Sequence, residues 1–435
     1  MESISIEPFS HTLNDTVDIP GSKSLTNRAM LIAALADGST RLTNALFSDD
    51  SRYFAEALKT LGFELEHNQL AREIRMRGQS GRIPSASATL FIGNAGTAAR
   101  FLSAFLTLGS GEYILDGDSR MRERPIGDLI SALTQLGANI QPAFGNSEAK
   151  LSETCPPVKI LASGLPGGIT SISGNISSQF LSGLLMVAPY AMSPVEINVM
   201  QGLNSKPYVD MTIGVMKDFG VTITRNGYDS FKINSGRYQA RESYAIEPDA
   251  SAASYFFAAP AILGGSVRIM NISRNSKQGD VLFVDVLQKM GCSVREGVDF
   301  IEVHGPASQQ ELLGIDVDMS DIPDTAQTLA AIAPFAKTPT CIRGIQSARV
   351  KESDRVSATC AELVKLGVRV EENWDGMVIY PCENIKPAMV HTYNDHRMAM
   401  SFALIGYRHA GVQIENPGCV SKTFPNYFDV WEGLR

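Results

Sequence analysis

ALKTLGFEL, residues 57–65, decides the architecture, because the chain returns to its pattern four more times: ALTQLGANI (132–140), VMKDFGVTI (215–223), VLQKMGCSV (286–294) and ELVKLGVRV (362–370). Each stretch ends an amphipathic helix at a glycine and opens a β-rich run. Glycine there is the usual left-handed helix stop. The shared glycines, Gly62, Gly137, Gly220, Gly291 and Gly367, are spaced by 75, 83, 71 and 76 residues. In three copies a second strand follows through a turn: Asn226-Gly227, Gly297, and Asp375-Gly376. Such dipeptides are strong hairpin signals. Each copy therefore reads as a mixed α/β unit of about 75 residues, and 435 residues hold about six of them. A unit of that size cannot bury both faces of its sheet alone, so copies must pack into larger bodies. The period leaves their grouping open. A solenoid would line its motifs along one face, whereas here the polar motifs differ from copy to copy and fall in the connections, which favours two globular bodies sharing a cleft.

Composition narrows the function. Hydrophobic residues make up 44%, enough for a sizeable core and against disorder. The formal net charge of −8 argues against general nucleic-acid binding, which relies on many phosphate-neutralising cations. The six cysteines form no Cys-x-x-Cys pair, so neither a zinc ribbon nor a thioredoxin-like motif is present. The first cation is Lys23 and no apolar block precedes it, which speaks against a signal peptide; the longest apolar runs, near 184–192 and 252–263, are short and carry Pro189 and Pro260. A soluble, cytoplasmic protein is expected.

The polar motifs point to anions. PGSKSLTNR (20–28) opens an apolar helix over 29–36 that Gly38 stops; Ser24 or Thr26 is the expected cap, with Lys23 and Arg28 alongside. Ser22 separates Gly21 from Lys23, so this is not a P-loop. GNAGTAAR (93–100) reads as a strand-to-helix turn with Thr97 as cap. DGDSRMRERP (116–125) brings Arg120, Arg122 and Arg124 together before a proline. NISSQF (175–180) and SKPY (205–208) open further helices. The later part adds Asp324, RVKESDR (349–355), NDHR (394–397) and SKTFP (421–425). If 351–355 is helical, Lys351 and Arg355 share a face and Glu352 lies three residues from Arg355. Each motif alone also reads as a capped helix or a solvated charged loop, and His396 as a structural histidine. Together they set ten cations beside helix starts in an acidic protein. Such a cleft suits small, multiply anionic substrates, with Asp324 and Glu352 available for proton transfer.

In order along the chain, PGSKSLTNR, GNAGTAAR, RMRERPIGDL, NISSQFLSGLLM, SKPYVDMT, EPDASAASYF, RVKESDR, YNDHRMAM and SKTFPNYF resemble the 5-enolpyruvylshikimate-3-phosphate synthase family, from residue 20 to nearly the end. The resemblance implies an α/β enolpyruvyl transferase fold: six βαβαββ units, three per domain, arranged like an inverse α/β barrel. One domain would span 21–246 and the other 1–20 with 247–435. It implies transfer of the enolpyruvyl group of phosphoenolpyruvate to the 5-hydroxyl of shikimate 3-phosphate, through a tetrahedral intermediate, without metal or cofactor. Shikimate 3-phosphate would be bound by Lys23, Ser24, Arg28, Ser177, Ser178, Gln179, Ser205, Tyr208, Asp324, Ser347 and Lys351. Phosphoenolpyruvate would be bound by Lys23, Asn94, Gly96, Thr97, Arg124, Gln179, Arg355, His396, Arg397 and Lys422. Asp324, Glu352 and Lys23 would be catalytic. The resemblance further implies a monomer and inhibition by glyphosate.

The sequence departs from the commonest family pattern at four positions. Ala99 and Phe101 replace Met and Pro, Ser347 replaces Asn, and Pro248 replaces Gly. Phe101, as a larger and freer side chain, is expected to shift Gly96 and Thr97 and weaken glyphosate inhibition. Two other readings remain open at this stage. The related transferase acting on UDP-N-acetylglucosamine generally carries a cysteine in the loop corresponding to 116–124, which has none here. A non-catalytic anion-binding protein would leave Asp324 and Glu352 unexplained.

Overall fold

All five repeat glycines take up left-handed backbone in the computed structural model, with φ of 90° at Gly62, 93° at Gly137, 90° at Gly220, 107° at Gly291 and 86° at Gly367. A residue with a Cβ would be strained at each, so glycine ends the helix and turns the chain into the sheet. The structure describes residues 2–143, 154–307 and 311–435.

Every one of the five copies, not three, leads into an antiparallel hairpin. The pairs are Leu65–Asn68 with Glu73–Gln79, Asn139–Pro142 with Val158–Ser163, Thr224–Asn226 with Ser230–Ile233, Ser293–Glu296 with Phe300–His304, and Val370–Asn373 with Gly376–Ile379. The two unforeseen hairpins lack an Asn-Gly or Asp-Gly signal. The first turns through residues 69–72 with Arg72 itself left-handed at φ 51°; the residues joining the second, 144–153, lie outside the described ones.

Five sheets have four strands, in which a parallel pair continues into the hairpin. In sequence order the element pattern is strand, helix, strand, helix, hairpin, as in Ser87–Phe91, Gly96–Leu106, Ser110–Asp116, Gly127–Gln135 and the Asn139 hairpin. The sixth sheet has three strands: Ala388–Val390 and Val412–Glu415 run parallel, and Ser3–Ser5 adds antiparallel to the latter. The sixth unit thus takes its last strand from the start of the chain, which is why the sequence repeats its glycine signature only five times.

Strand pairing also explains how the chain is divided. Leu13–Val17 pairs with Gly265–Met270, and Tyr244–Ala245 pairs with Asp37–Thr43. The chain forms two compact units, Gly21–Ile246 and Met1–Pro20 with Glu247–Arg435, each with its own hydrophobic core. Asp249 N–H donates to the carbonyl of Pro20 at 2.9 Å, tying the two ends of the second unit's chain together.

In each unit three helices are buried almost all round. Lys23–Leu35, Gly96–Leu106 and Ser178–Val187 fill the first unit; Ala250–Leu263, Ala326–Ile332 and His396–Arg408 fill the second. A helix apolar on every side has no solvent face and must lie inside. The second helix of each unit is instead amphipathic, as in Asp49–Thr60, where Phe54, Ala57 and Leu58 face inward. PGSKSLTNR, GNAGTAAR, NISSQF and NDHR fall at the N-termini of these buried helices, and SKPY and RVKESDR open amphipathic ones. At either kind of start, unsatisfied backbone N–H groups and the positive end of the dipole favour anions.

Candidate active site

In the unit Gly21–Ile246, the first motif starts its helix earlier than expected. Ser22, not Ser24 or Thr26, is the cap, accepting from Leu25 N–H at 3.4 Å. Thr26 instead accepts from Leu46 N–H, pinning the helix to the next strand connection. The helix ends at Leu35 with Ala36 extended, and Gly38 already lies in the strand Asp37–Thr43, so it is not the stop. Lys23 stands on the first turn with its Nζ 3.4 Å from the carboxylate of the buried Asp50.

Arg28 is fully inside. Its Nε donates to Thr212 Oγ1 at 2.7 Å, Nη1 to Ser24 O at 3.0 Å, and Nη2 to Tyr208 O at 3.2 Å and Ser182 Oγ at 3.3 Å. Burial lowers its pKa to about 10, still charged at neutral pH. The guanidinium lies 5.1 Å from the centre of the Phe101 ring. Phe101 is 0% exposed and sits inside the Gly96–Leu106 helix. It is therefore a fixed wall against Arg28, not a freer side chain, and the expected shift of the helix start loses its premise.

Thr97 does not cap this helix. Ala95 is the cap residue and makes no side-chain bond; Thr97 lies in the first turn, where its Oγ1 accepts from Gln179 Nε2 at 3.4 Å. Gly96 is needed for space: a Cβ there would stand 2.4 Å from Arg124 Nη2. Arg124 Nη1 in turn donates to the side chain of Asn94 at 2.8 Å and to its carbonyl at 3.2 Å. The helix Ser178–Val187 is capped by Ser177, which accepts from Gln179 N–H at 3.2 Å. Ser205, at φ 57°, turns the chain into the helix that carries Tyr208.

The arginine cluster dissolves on inspection. Arg120 and Arg122 sit on the surface, paired with Glu123 at 2.9 Å and Asp116 at 2.7 Å. Arg100 is buried against the carbonyls of Gly96 and Pro125. Of the three arginines between 120 and 124, Arg124 alone joins the neighbourhood of Asn94 and Gly96.

In the other unit the charges converge. Asp324, on a short turn Pro323–Thr325, accepts from Lys351 Nζ at 2.5 Å and Arg355 Nη1 at 3.2 Å on Oδ1, and from Arg397 Nη2 at 2.8 Å on Oδ2. Glu352 accepts from Arg355 Nη2 at 2.8 Å and lies 3.9 Å from Lys422 Nζ. Asp395, 0% exposed, caps His396–Arg408 by accepting from Arg397 N–H, and also receives Arg355 Nε at 2.8 Å and Ser353 Oγ at 3.0 Å. His396 is the first residue of that helix, buried beside Asp395. Ser347 is buried in the turn Gln346–Val350. The stretch 351–354 is not helical; the helix begins at Arg355 with Asp354 as cap. Lys351 and Arg355 nevertheless meet on Asp324, and the Glu352–Arg355 pair forms from the preceding bend.

Electrostatics follows from this packing. Burial disfavours the charge of Asp324, but the pull of Arg397, Lys351 and Arg355 outweighs it and holds the carboxyl well below the usual range. Burial, joined by the neighbouring arginines, lowers Lys351 although Asp324 opposes it. Arg355 is raised: burial works against it, and Asp395, Glu352 and Asp324 outweigh that. Three carboxylates thus face four cations; most are nearly out of water, while Lys351 and Asp324 keep 26% and 18% of their side-chain surface exposed. Such a cluster can grip an anion and carry a proton.

Four positions were missed by sequence reasoning. Asp50 looks like an ordinary acidic residue in a first helical turn, Ser182 and Thr212 look like helix polar residues, and Asp395 was visible only as a neighbour of His396. Among the described residues no group of three or more His, Cys, Asp and Glu side chains comes together as a metal site.

The chain matches the family model for EPSP synthase (3-phosphoshikimate 1-carboxyvinyltransferase) over residues 9–431. It is 50% identical to the 3-phosphoshikimate 1-carboxyvinyltransferase of Trichormus variabilis over 429 residues, 98% of each chain. It is 48% identical to that of a Sulfurovum species, over 100% of this chain and 99% of the relative. Solved structures share the fold: the EPSP synthase of Acinetobacter baumannii at TM-score 0.80, 24% identity and coverage of 99% and 97%, and the enolpyruvyl transferase NikO of Streptomyces tendae at TM-score 0.79, 16% identity and the same coverage. With the motifs in order, six α/β sheet units and relatives matched from end to end, the chain belongs to the EPSP synthase family.

Proposed function

We propose that this protein transfers the enolpyruvyl group of phosphoenolpyruvate to the 5-hydroxyl of shikimate 3-phosphate and releases phosphate. The observation that carries the reading is the cluster in which Asp324 and Glu352 are held among Lys351, Arg355, Arg397 and Lys422. Both reactants are polyanions, so binding them calls for fixed cations; joining them calls for an acid and a base among those cations.

The roles follow from the chemistry. Asp324 takes the proton of the 5-hydroxyl as its oxygen adds to C2 of phosphoenolpyruvate. Glu352 delivers a proton to C3, giving the tetrahedral intermediate, and recovers a proton from C3 as phosphate leaves and the double bond re-forms. Lys23 assists the departing phosphate. Ser24, Arg28, Ser177, Ser178, Gln179, Ser205, Tyr208, Ser347 and Lys351 hold shikimate 3-phosphate. Lys23, Asn94, Gly96, Thr97, Arg124, Gln179, His396 and Lys422 hold the phosphoenolpyruvate phosphate side, and Arg355 and Arg397 its carboxylate. Arg355 and Arg397 now bind Asp324; when they turn to a substrate carboxylate, their hold on Asp324 weakens and its basicity rises, as a base requires.

Glyphosate is proposed to compete with phosphoenolpyruvate beside Gly96, where no Cβ narrows the space. The protein is proposed to act as a cytoplasmic monomer; its six free cysteines suit a reducing compartment. No described helix is long and apolar enough to cross a membrane. Phosphate release from phosphoenolpyruvate that depends on shikimate 3-phosphate tests the reading. Release driven by UDP-N-acetylglucosamine instead, or by neither acceptor, refutes it.

A further inference from the structure

Arg349 lies just before the residues that carry the proposed chemistry, and none of the roles above uses it. Its side chain is 11% exposed, and all of its donors are engaged. Nε donates to Trp374 O at 2.7 Å; Nη1 to Asp354 Oδ2 at 2.9 Å and Ser357 Oγ at 3.0 Å; Nη2 to Glu372 Oε1 at 2.8 Å and Asn373 O at 2.7 Å. The guanidinium also lies 5.3 Å from the Trp374 ring centre. One planar group thereby joins two things: the turn of the hairpin Val370–Asn373 and Gly376–Ile379, and the cap of the helix Arg355–Lys365. Asp375, in the same turn, receives the backbone N–H groups of Gly344 and Ile345 at 3.3 and 2.8 Å, so the hairpin tip supports both sides of the intervening loop.

Between the short turn ending at Val350 and the helix starting at Arg355, residues 351–354 belong to neither helix nor strand. That bend carries Lys351 and Glu352 and delivers Arg355. Its geometry has to come from side chains. We propose that Arg349 is a positioning residue: by clamping Asp354 against the hairpin turn it fixes where Lys351, Glu352 and Arg355 point. A lysine could not do the same, because one ammonium cannot present a planar fork to a carboxylate, a second carboxylate and two carbonyls. The inference rests on the enolpyruvyl transfer proposed above for these three residues.

Steady-state phosphate release and amide hydrogen exchange test it together. Arg349→Met should lower kcat/KM for phosphoenolpyruvate by about 10²-fold relative to wild type, the scale of an ångström of misplacement. Combined with Arg355→Lys, the loss should be clearly smaller than the product of the two single losses, since both act on one group. Exchange at residues 351–354 should quicken without any substrate present. Arg268→Met is the control, because Arg268 also pairs with a carboxylate, Glu302, and stacks on a ring, Phe300, but in another sheet; it should leave both readouts unchanged. Glu372→Ala, which removes one acceptor of Arg349, replaces Arg349→Met if the latter does not fold. A kinetic loss under twofold, losses that multiply, or unchanged exchange at 351–354 overturns the proposal. Wild-type protein that releases no phosphate counts against the reaction, while the exchange result still decides Arg349.

Discussion

The two units handle positive charge in opposite ways. In Gly21–Ile246, Arg28, Arg100 and Arg124 donate to carbonyls, hydroxyls and the Asn94 side chain, while Lys23 has a close carboxylate, Asp50. In the other unit, Lys351, Arg355, Arg397 and Lys422 crowd around Asp324, Glu352 and Asp395. A neutral partner leaves a cation its full charge toward a ligand; a carboxylate partner compensates that charge but can exchange protons. Under the proposed reaction, the first unit would grip anions and the second would grip them and do acid–base chemistry.

The sharpest way to break that contrast is kinetic. Asp324→Ala and Glu352→Gln should each lower kcat by roughly 10²–10⁴ with smaller changes in KM, the usual worth of a positioned acid or base. Ser178→Ala, from the gripping unit, should mainly raise KM for shikimate 3-phosphate, by about tenfold, the value of one hydrogen bond to a charged group. A kcat loss at Ser178 as large as at Asp324 would erase the division of labour, and full activity in either carboxylate variant would remove its catalytic role.

Stability should show the same asymmetry. Asp324→Asn leaves three buried cations without their shared carboxylate, which costs about 3–5 kcal/mol at neutral pH. The folded carboxyl lies below its unfolded value, so its contribution is complete above about pH 4, where the unfolded group ionises, and is lost as pH falls toward the folded value. Urea unfolding of wild type and variant should therefore show a gap at pH 7 that narrows at pH 3. A gap of equal size at both would mean that the ion cluster is not its source.

A smaller effect is expected at Gly96, whose added Cβ meets the movable tip of Arg124. Gly96→Ala should push that guanidinium off Asn94 and raise KM for phosphoenolpyruvate by about tenfold, with thermal stability nearly unchanged. Equal KM values would show that Arg124 can yield without loss.

Much of this was legible in the sequence because it rests on local rules. A glycine after an apolar helix and a strand after the glycine need no tertiary information, and five repeats of both gave the unit and its number. The N-terminal positions of the motifs were equally local. What escaped depended on partners distant in the chain. The hairpin after Leu65 has no turn dipeptide, and its register comes from pairing with Glu73–Gln79. The caps at Ser22 and Ala95 were misplaced by two to four residues because several hydroxyls compete at each helix start, and tertiary bonds such as Thr26 to Leu46 decide among them. Asp395 stands within a motif, yet two of its three roles depend on Arg355 and Ser353, some 40 positions earlier. Phe101 was read as a loose ring because nothing local announces Arg28 beneath it.

The smallest expected effect tests the boundary of the gripping unit. Arg120, Arg122 and Arg124 are indistinguishable by spacing, three cations in five residues before a proline, and only the family resemblance singles out Arg124. The structure separates them: Arg124 is 5% exposed and bonded to Asn94, whereas the side chains of Arg120 and Arg122 are 35% and 54% exposed and pair with Glu123 and Asp116. Exposed pairs of this kind contribute little, because water screens them and holding two long side chains costs entropy. Arg120→Ala and Arg122→Ala should therefore leave kcat/KM within twofold of wild type and shift the melting temperature by no more than a degree or two. Arg124→Ala should instead raise KM for phosphoenolpyruvate severalfold or more. If Arg120→Ala or Arg122→Ala matched that loss, the exposed arginines would also act on the substrate, and the gripping surface would extend beyond the buried helix starts.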